Sequence, residues 1–208
     1  MSKKTSLICL VGISGSGKST LAKKLLASNP EMKLSVSATT RDPREGESSG
    51  VDYHFLSASE FDQAIADDGF VEWEHVHHHR YGTLKKTIDD ALLNNYDLLF
   101  DIDVRGAYSL KKLYPDNTLI VCIMPPSLEE MVHRIRTRAL ISDAEVEKRL
   151  ETAKAEIQSF RSGVDSFIVN DDLEQAFKQL QLIVESGQLR TLDVSGVELL
   201  DSFERSFK

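Results

Sequence analysis

The stretch Gly12-Ile13-Ser14-Gly15-Ser16-Gly17-Lys18-Ser19 decides the fold of this chain. It matches the P-loop pattern G-x-x-x-x-G-K-[ST] at every fixed position. The apolar run Leu7–Val11 precedes it, as a buried parallel strand would, and Leu21, Leu25 and Leu26 follow it at helical spacing. A strand, a glycine loop and a helix start together bind phosphate, because backbone N–H groups and the helix N-terminus face the anion. The alternative is a chance glycine-rich turn, which would not explain the flanking strand and helix.

The polar residues of the motif predict a nucleoside triphosphate site with a metal ion. Lys18 is expected to reach the β- and γ-phosphates, and the Ser19 hydroxyl to ligate Mg²⁺. Asp101 follows a second apolar run, and an aspartate at that point of a P-loop enzyme helps to hold Mg²⁺, usually through water. The alternative for Asp101 is a strand-end carboxylate that caps a helix. The P-loop favours the metal role.

Length, apolar runs and cysteines limit the class of protein. The 208 residues suffice for one domain or for a domain with insertions. No apolar run approaches the roughly 20 residues of a membrane span, and the first residues lack a secretory signal pattern. Cys9 and Cys122 each lie inside an apolar run, so we expect buried, reduced thiols and not a disulfide. These features predict a cytoplasmic protein without membrane association.

The net charge limits the possible partners. It is −8 at neutral pH, so nonspecific nucleic-acid binding is not expected. An anionic nucleotide must then be bound by local clusters of lysine and arginine. The sequence leaves open whether the chain is a monomer or a homo-oligomer.

Strands and helices alternate along the frame of the chain, which is typical of a doubly wound, mostly parallel sheet. Its predicted strands are residues 7–11, 34–36, 98–103, 118–124 and 167–169, and its predicted helices include residues 18–27, 85–93 and 173–184. Between them lie a polar loop (37–50), a strand (51–56), a helix capped by Ser57, and a strand with its turn (70–80). We expect this segment to form a small mixed α/β unit inserted into the frame.

Arginines cluster around two predicted helix starts. Arg134 and Arg138 share one helix face after the capping pattern at Ser127, and Arg149 follows the pattern at Ser142. Guanidinium groups match charge that is spread over phosphate oxygens, so the three could close over a transferring phosphoryl group. The alternative is a solvated basic face with glutamate partners, such as Glu130 for Arg134. Spacing alone does not separate the two.

The inserted segment offers a second phosphate site and a base-reading carboxylate. Arg41, Arg44 and Tyr53 could hold a phosphate, with Ser37 beside them. Glu72 could accept from the N1–H and N2–H₂ donors of guanine, whereas adenine presents an acceptor at N1. Alone, Glu72 would be an ordinary strand-face carboxylate.

Four histidines end the same segment. His75, His77 and His79 occupy alternate strand positions, and His78 lies between the last two. This arrangement is compatible with a zinc site. No cysteine accompanies them, so a solvent-exposed histidine turn is the preferred interpretation.

Longer stretches of the chain resemble the guanylate kinase family. The similarity is carried by residues 35–53 (S-V-S-A-T-T-R-x-P-R-x-G-E-x-x-G-x-D-Y), Phe70-Val71-Glu72-Trp73, Tyr81-Gly82-Thr83, Asp101-Ile102-Asp103, Pro125-Pro126-Ser127 and Ile168-Val169-Asn170-Asp171-Asp172. These motifs run in order from the P-loop to the closing helix. The chain departs from the usual pattern at Ile13, often proline, at Ala139, often glycine, and at residues 78–80, where a Gly-Asn-Tyr-like turn is common.

The resemblance implies site residues and a domain division. Catalytic roles fall on Lys18, Arg134, Arg138 and Arg149, and metal binding falls on Ser19 and Asp101. ATP binding falls on Gly12, Ile13, Ser14, Gly15, Ser16, Gly17, Lys18, Ser19, Thr20 and Asn170, the last near the adenine. GMP binding falls on Ser37, Arg41, Arg44, Tyr53, Glu72, Tyr81, Thr83 and Asp103. The implied domains are a discontinuous core (1–36, 84–126, 150–190), a GMP-binding domain (37–83), a lid (127–149) and a tail (191–208).

The implied reaction is transfer of the γ-phosphoryl group of ATP to GMP, giving ADP and GDP in purine nucleotide metabolism, with dGMP as a further candidate acceptor. The acceptor oxygen is already anionic, so no general base is needed. Two alternatives are a P-loop kinase for another phosphorylated acceptor, such as a sugar phosphate, and a non-catalytic protein-binding module of guanylate-kinase type. Ser37, Glu72 and Thr83 argue against the first, and the intact Gly17-Lys18-Ser19 argues against the second.

Overall fold

Strands and helices alternate along most of the chain and build two sheets. The computed structural model describes residues 5–76, 78–138, 142–186 and 194–207. In chain order the elements are β1 (Leu7–Val11), α1 (Lys18–Ser28), β2 (Lys33–Leu34), β3 (Ala38–Thr39), β4 (His54–Phe55), α2 (Ala58–Ala66), β5 (Phe70–Val76), β6 (His79–Leu84), α3 (Lys85–Asn94), β7 (Leu98–Phe100), α4 (Val104–Leu113), β8 (Thr118–Met124), α5 (Leu128–Arg138), α6 (Asp143–Phe160), β9 (Ser166–Val169), α7 (Leu173–Ser186) and α8 (Val194–Ser206).

The larger sheet has five strands, all parallel, in the order β2-β7-β1-β8-β9. The strand before the P-loop, β1, is central, and all of its residues are buried. Leu7, Cys9 and Val11 face a core shared with α3, α4, α5, α6 and α8, whereas Ile8 and Leu10 face a second core shared with α1 and α7. Side chains alternate along a strand, so a continuous apolar run fills both faces of the sheet. The predicted doubly wound parallel sheet is confirmed.

The smaller sheet is mixed, in the order β4-β3-β6-β5. β3 pairs in parallel with β4 and antiparallel with β6, and β5 pairs antiparallel with β6. Helix α2 covers one face, where the rings of Phe61 and Phe70 stack with centroids 4.5 Å apart. Its predicted capping box is present, with Ser57 and Glu60 each accepting from the other's backbone N–H. This sheet occupies the inserted segment that the sequence predicted as a mixed unit.

Several predicted boundaries were wrong. Residues 38–39 form the buried strand β3 inside the segment predicted as a loop, because pairing on both sides buries a short Ala-Thr step. The strand predicted for 51–56 is only His54–Phe55, and that for 34–36 is Lys33–Leu34. β7 ends at Phe100 and not at 103, because only Leu98, Leu99 and Phe100 have partners in β1.

Two helices were not predicted. In α4 the Asp103 side chain caps the helix by accepting from the Gly106 N–H at 2.7 Å. In α8, which lies in the predicted tail, Leu200 and Phe203 are buried against the first core. Arg161 at the end of α6 forms ion pairs with Asp201 and Glu204 of that helix.

The two cysteines lie in the first core of the larger sheet. Cys9 and Cys122 are free and fully buried, as predicted. Across the parts of the chain that the structure describes, none of the helices has the length and apolar character that crossing a bilayer requires.

Candidate active site

The glycine loop is held in a conformation that only glycine adopts easily. Gly15 and Gly17 have φ of +78° and +85°, and Gly17 is the N-cap of α1. A Cβ atom on Gly17 would lie 2.1 Å from Asn170 Nδ2, and one on Gly12 would lie 2.2 Å from the Ile123 carbonyl oxygen. Both the backbone angles and the close neighbours therefore require the motif glycines.

This loop lines a pocket of about 380 Å³. The lining comprises Gly12, Ile13, Ser14, Gly15, Ser16, Gly17, Lys18, Ser19, Thr20, Lys23 and Arg134. The structure thus gathers the P-loop residues proposed for ATP, and it adds Lys23, which the sequence reasoning missed. Lys23 lies four residues after Ser19, so helical spacing could have placed it on the same face.

Asn170 lies under the loop. It is only 5% exposed, and its Nδ2 donates to the Ser16 carbonyl oxygen at 2.8 Å. Its own backbone oxygen accepts from Arg134 Nη1 at 2.8 Å. Asn170 therefore connects the P-loop to the first arginine of the predicted lid. Its contact with adenine remains a prediction.

A second pocket, of about 320 Å³, adjoins the smaller sheet. Its lining residues are Ser37, Tyr53, Glu72, Glu74, Val76, Tyr81, Gly82, Asp101, Ile102 and Asp103. Most of the side chains predicted for GMP therefore lie together here. Arg41, Arg44 and Thr83, which were also predicted for GMP, are not among the lining residues, and Arg44 is exposed.

Glu72 is fixed by its neighbour across the sheet. Register pairs Glu72 with Thr83, whose Oγ1 donates to Glu72 Oε1 at 2.7 Å. Of the two carboxylate oxygens, only Oε1 has a side-chain donor among the described residues. Burial raises the pKa of Glu72, the Thr83 bond opposes that shift, and the carboxylates of Asp103 and Glu74 add to it. The site thus holds one half-buried carboxylate oxygen ready to accept from a ligand.

Arg41 is engaged by a carboxylate. Its two terminal nitrogens donate to the two oxygens of Glu47 at 2.9 Å each, a bidentate arrangement. This bond holds the pKa of Glu47 below its ordinary value. The Arg41 guanidinium also lies 5.3 Å from the ring of Tyr53, which packs edge-on against Tyr81 at 5.8 Å. Glu47, to which sequence reasoning gave no role, therefore holds the arginine beside Tyr53, which lines the pocket.

The two pockets meet at an ion pair. Lys18 of the P-loop pocket bonds Asp101, which lines the second pocket. The Lys18 side chain is 22% exposed and that of Asp101 is 45% exposed, so both can be reached by solutes. Ser19 follows directly and lines the first pocket. Hydroxyl and carboxylate oxygens are the donors that Mg²⁺ takes, so the residues present fit that ion.

The predicted lid arginines are not equivalent. Arg134 lines the P-loop pocket while its Nε donates to Glu130 at 2.7 Å, so the interpretations as phosphate ligand and as helix ion pair are both compatible with its position. Arg149 bonds Glu145 at 3.2 Å and is not among the residues that line either pocket. The side chain of Arg138 and the residue Ala139 lie outside what the structure describes.

Glu156 is a further acidic residue that sequence reasoning missed. It is half-buried on α6, seven residues after Arg149 and thus on the same helix face. Burial raises the pKa of Glu156, Asp103 adds to the shift, and the Lys18 ammonium opposes it. Glu156 lines neither pocket, so it is not assigned to the site.

The histidines lie at the end of the β5–β6 hairpin. His75 and His78 are exposed, and the His75 ring packs edge-on against Trp73 at 5.7 Å. His77 lies outside the described residues. Within the described ranges, no three or more His, Cys, Asp or Glu residues are grouped for metal binding.

Comparisons with known proteins identify the family of this chain. The model of the guanylate kinase family matches residues 4–187. The chain is 44% identical over 184 residues to the guanylate kinase of Anaeromyxobacter dehalogenans, covering 88% of this chain and 81% of that protein. It is 42% identical over 180 residues to the guanylate kinase of Chlorobium luteolum, covering 86% and 91%. The crystal structure of guanylate kinase from Anaplasma phagocytophilum matches 96% of both chains with a TM-score of 0.67 and 29% identity. The chain belongs to the guanylate kinase family.

Proposed function

We propose that this protein transfers the γ-phosphoryl group of ATP to GMP, producing ADP and GDP for purine nucleotide metabolism. The observation that carries the proposal is the meeting of two pockets at the Lys18–Asp101 pair. One pocket is a P-loop, and the other presents a carboxylate oxygen suited to guanine. Phosphoryl transfer is mainly positioning and charge neutralisation, so a donor site that meets an acceptor site supplies its main requirement.

The donor half of the mechanism depends on an exchange of partners by Lys18. In this structure the ammonium is paired with Asp101. A bound triphosphate offers Lys18 more negative charge than one carboxylate, so Lys18 turns to the phosphates and releases Asp101. Asp101 and Ser19 would then hold Mg²⁺, which neutralises charge on the β- and γ-phosphates when bound. Backbone N–H groups of the loop and the start of α1 hold the remaining phosphate oxygens.

The acceptor half reads the base with Glu72. Thr83 orients one oxygen, so the other accepts from guanine N1–H and N2–H₂. Adenine would leave that buried oxygen facing an acceptor at N1. Ser37 and Asp103 would complete the base site. Arg41, Arg44, Tyr53 and Tyr81 would hold the GMP phosphate.

Closure of the lid would complete the charge balance. Arg134 already lines the donor pocket, whereas Arg149 is paired with Glu145 on α6. Movement of residues 127–149 would bring Arg149 and Arg138 onto the transferring phosphates and exclude water, which would otherwise compete as acceptor. No general base is required, because the attacking phosphate oxygen of GMP is anionic at neutral pH.

A coupled assay tests the proposal. Purified protein with ATP and Mg²⁺ is offered GMP, dGMP, AMP, CMP, UMP and a sugar phosphate, and ADP formation is followed. GMP-selective ADP release supports the proposal. Selectivity for the sugar phosphate would support the alternative kinase, and absence of turnover would support a binding module.

Paired lysine variants locate the chemistry. Lys18→Ala should abolish transfer while thermal unfolding stays cooperative. Lys24→Ala is the matched control, since Lys24 lies on the same helix but pairs with Glu174 outside the pocket. Equal activity of the two variants would contradict the P-loop role of Lys18.

The proposal also places the protein in the cytoplasm, as its free buried cysteines suggest.

A further inference from the structure

The first turn of α4 lies directly against the carboxylate of Glu72. A Cβ atom built on Gly106 would lie 3.4 Å from both Cγ and Cδ of Glu72 and 3.3 Å from Asp103 Oδ1. The distance to Asp103 Oδ1 is tighter than an ordinary methyl contact, and the distances to Glu72 lie at the lower limit of such a contact, so an added methyl group would press on both side chains. Gly106 is itself buried. The Glu72 carboxyl group therefore borders the space that a side chain at position 106 would fill.

The backbone of α4 gives no reason for glycine at this position. Gly106 is the third residue of α4, in its first turn, and is not among the residues with positive φ. In a helix interior, alanine is the most favourable residue and glycine among the least. The conformation of α4 therefore does not require glycine at 106, whereas the contacts with Glu72 and Asp103 limit the space for a side chain.

That contact joins the two halves of the site. Helix α4 packs on the core of the parallel sheet, whereas Glu72 belongs to β5 of the mixed sheet. Thr83 holds Glu72 from the side of β6, and Gly106 limits it from the side of α4. Asp103, which caps α4 through the Gly106 N–H, is fixed by the same turn. The Glu72 carboxylate therefore lies between the Thr83 hydroxyl and the part of α4 that has no side chain, at Gly106.

We propose that Gly106 is a specificity-determining position, whose missing side chain lets Glu72 reach the 2-amino group of the acceptor purine. This inference rests on the proposed function and deepens it. A methyl group at 106 would lie at the lower limit of van der Waals contact with Glu72 and closer still to Asp103, so any shift of the Glu72 carboxylate would be directed away from α4. The 2.7 Å bond of Glu72 to Thr83 and its bond to the ligand cannot both keep good geometry after such a shift.

A comparison of GMP with inosine monophosphate (IMP) tests the contact between Glu72 and the 2-amino group. IMP has the N1–H, the ribose and the phosphate of GMP but lacks the 2-amino group, so it loses only one contact to the carboxylate. Gly106→Ala should lower kcat/KM for GMP by about five- to tenfold and for IMP by less than twofold, because one charge-assisted hydrogen bond is worth about tenfold. The KM for ATP should not change, and the melting temperature should not fall, since alanine favours the helix.

The experiment measures kcat/KM for GMP and IMP in the wild-type chain, Gly106→Ala and the control Ser109→Ala. Ser109 lies one turn further along α4, is half-buried and lines neither pocket. A second pair, Glu72→Asp with and without Gly106→Ala, tests the contact itself. Aspartate is shorter by one methylene, so Gly106→Ala should cost at most twofold in that background.

The possible outcomes are distinguishable. A GMP-over-IMP preference that falls at least threefold in Gly106→Ala alone, and far less in the Glu72→Asp background, supports the inference. An unchanged preference, an equal loss in the Glu72→Asp background, or a parallel loss for both acceptors with a lower melting temperature would overturn it. Turnover of neither acceptor by the wild-type chain would refute the proposed function and, with it, this inference.

Discussion

Removal of the Asn170 side chain should loosen the P-loop from below. The amide is 5% exposed and donates to the Ser16 carbonyl oxygen at 2.8 Å. Its Nδ2 also occupies the space beside Gly17, where a Cβ atom would approach it to 2.1 Å. Asn170→Ala would leave the Ser16 carbonyl without its donor and would open a small gap under the loop. The Arg134 bond to the Asn170 backbone oxygen would remain available.

The expected cost follows from these contacts. A buried carbonyl oxygen left unsatisfied costs about 1–3 kcal/mol. For a chain of 208 residues, 1 kcal/mol lowers the melting temperature by about 2–4 °C. We therefore expect a loss of about 4–8 °C for a mid-range cost of about 2 kcal/mol. The KM for ATP should rise about tenfold, which corresponds to about 1.4 kcal/mol of lost phosphate binding, while the KM for GMP stays within about twofold, since its pocket is lined by other residues.

Thermal unfolding and initial-rate kinetics check both numbers. Asn29→Ala is the matched control, because Asn29 Nδ2 also donates to a carbonyl of α1, that of Leu25, at 3.0 Å but outside the pocket. Binding of inorganic tripolyphosphate, which has no base, separates support of the loop from contact with adenine. It should weaken in parallel with ATP binding. An Asn170→Ala protein with wild-type melting temperature and unchanged tripolyphosphate affinity would refute this reasoning.

Four further predictions concern Glu72 and Ser16. Glu72→Gln should lower kcat/KM for GMP by about 100-fold, since a charged acceptor with bonds worth up to about 3 kcal/mol is replaced by an amide. The KM for ATP should stay constant. An undiminished rate with GMP would contradict the assignment of Glu72 to the base. The pKa of Glu72 is raised from 4.5 by burial and by Asp103 and Glu74, against the Thr83 bond, so the GMP-over-IMP preference should decline with falling pH earlier than an ordinary glutamate titrates. The same raised pKa stabilises the folded state at pH values below 4.5, and this stabilisation is lost as the pH rises through the raised pKa of Glu72. In chemical denaturation, the free energy of unfolding of Glu72→Gln should therefore increase relative to that of the wild-type chain as the pH approaches neutrality. Ser16 Oγ is buried and has no hydrogen-bond partner among the residues that the structure describes, so Ser16→Ala should leave stability unchanged or raise it by about 1 kcal/mol. A clear loss of stability in denaturant titration would disprove this.

The sequence predicted the parallel sheet because its signals are local. A continuous apolar run before the P-loop indicates a strand buried on both faces, and the motif itself dictates the turn and helix that follow. The short strand β3 has no such signal, since two residues cannot show a period and only pairing with β4 and β6 buries them. Helix α4 was missed because its cap, Asp103, was assigned to the preceding strand. Helix α8 becomes recognisable only when the core provides a surface for Leu200 and Phe203.

The site was predicted as a set of residues but not as a set of contacts. Glu72 and Thr83 were both assigned to guanine from motifs eleven positions apart. Their hydrogen bond depends on the register of β5 on β6, which shifts between Phe70 and Glu72. Register is set by the whole hairpin, so no local pattern reveals it. The contact of Gly106 with Glu72 depends further on how two sheets meet, which is a tertiary property.

The distribution of charge across the two pockets orients the acceptor. The P-loop pocket carries Lys18, Lys23 and Arg134, whereas the adjoining pocket is lined by carboxylates: Glu72, Glu74, Asp101 and Asp103. An anionic phosphate directed at these carboxylates would meet repulsion, while a purine edge with N–H donors would be attracted. We therefore expect the base of the acceptor against the carboxylates and its phosphate against Tyr53 and Tyr81, the uncharged hydroxyl donors that line the same pocket. Because the chain as a whole has a net charge of −8, we expect this local separation of charge, more than any overall attraction, to orient the acceptor.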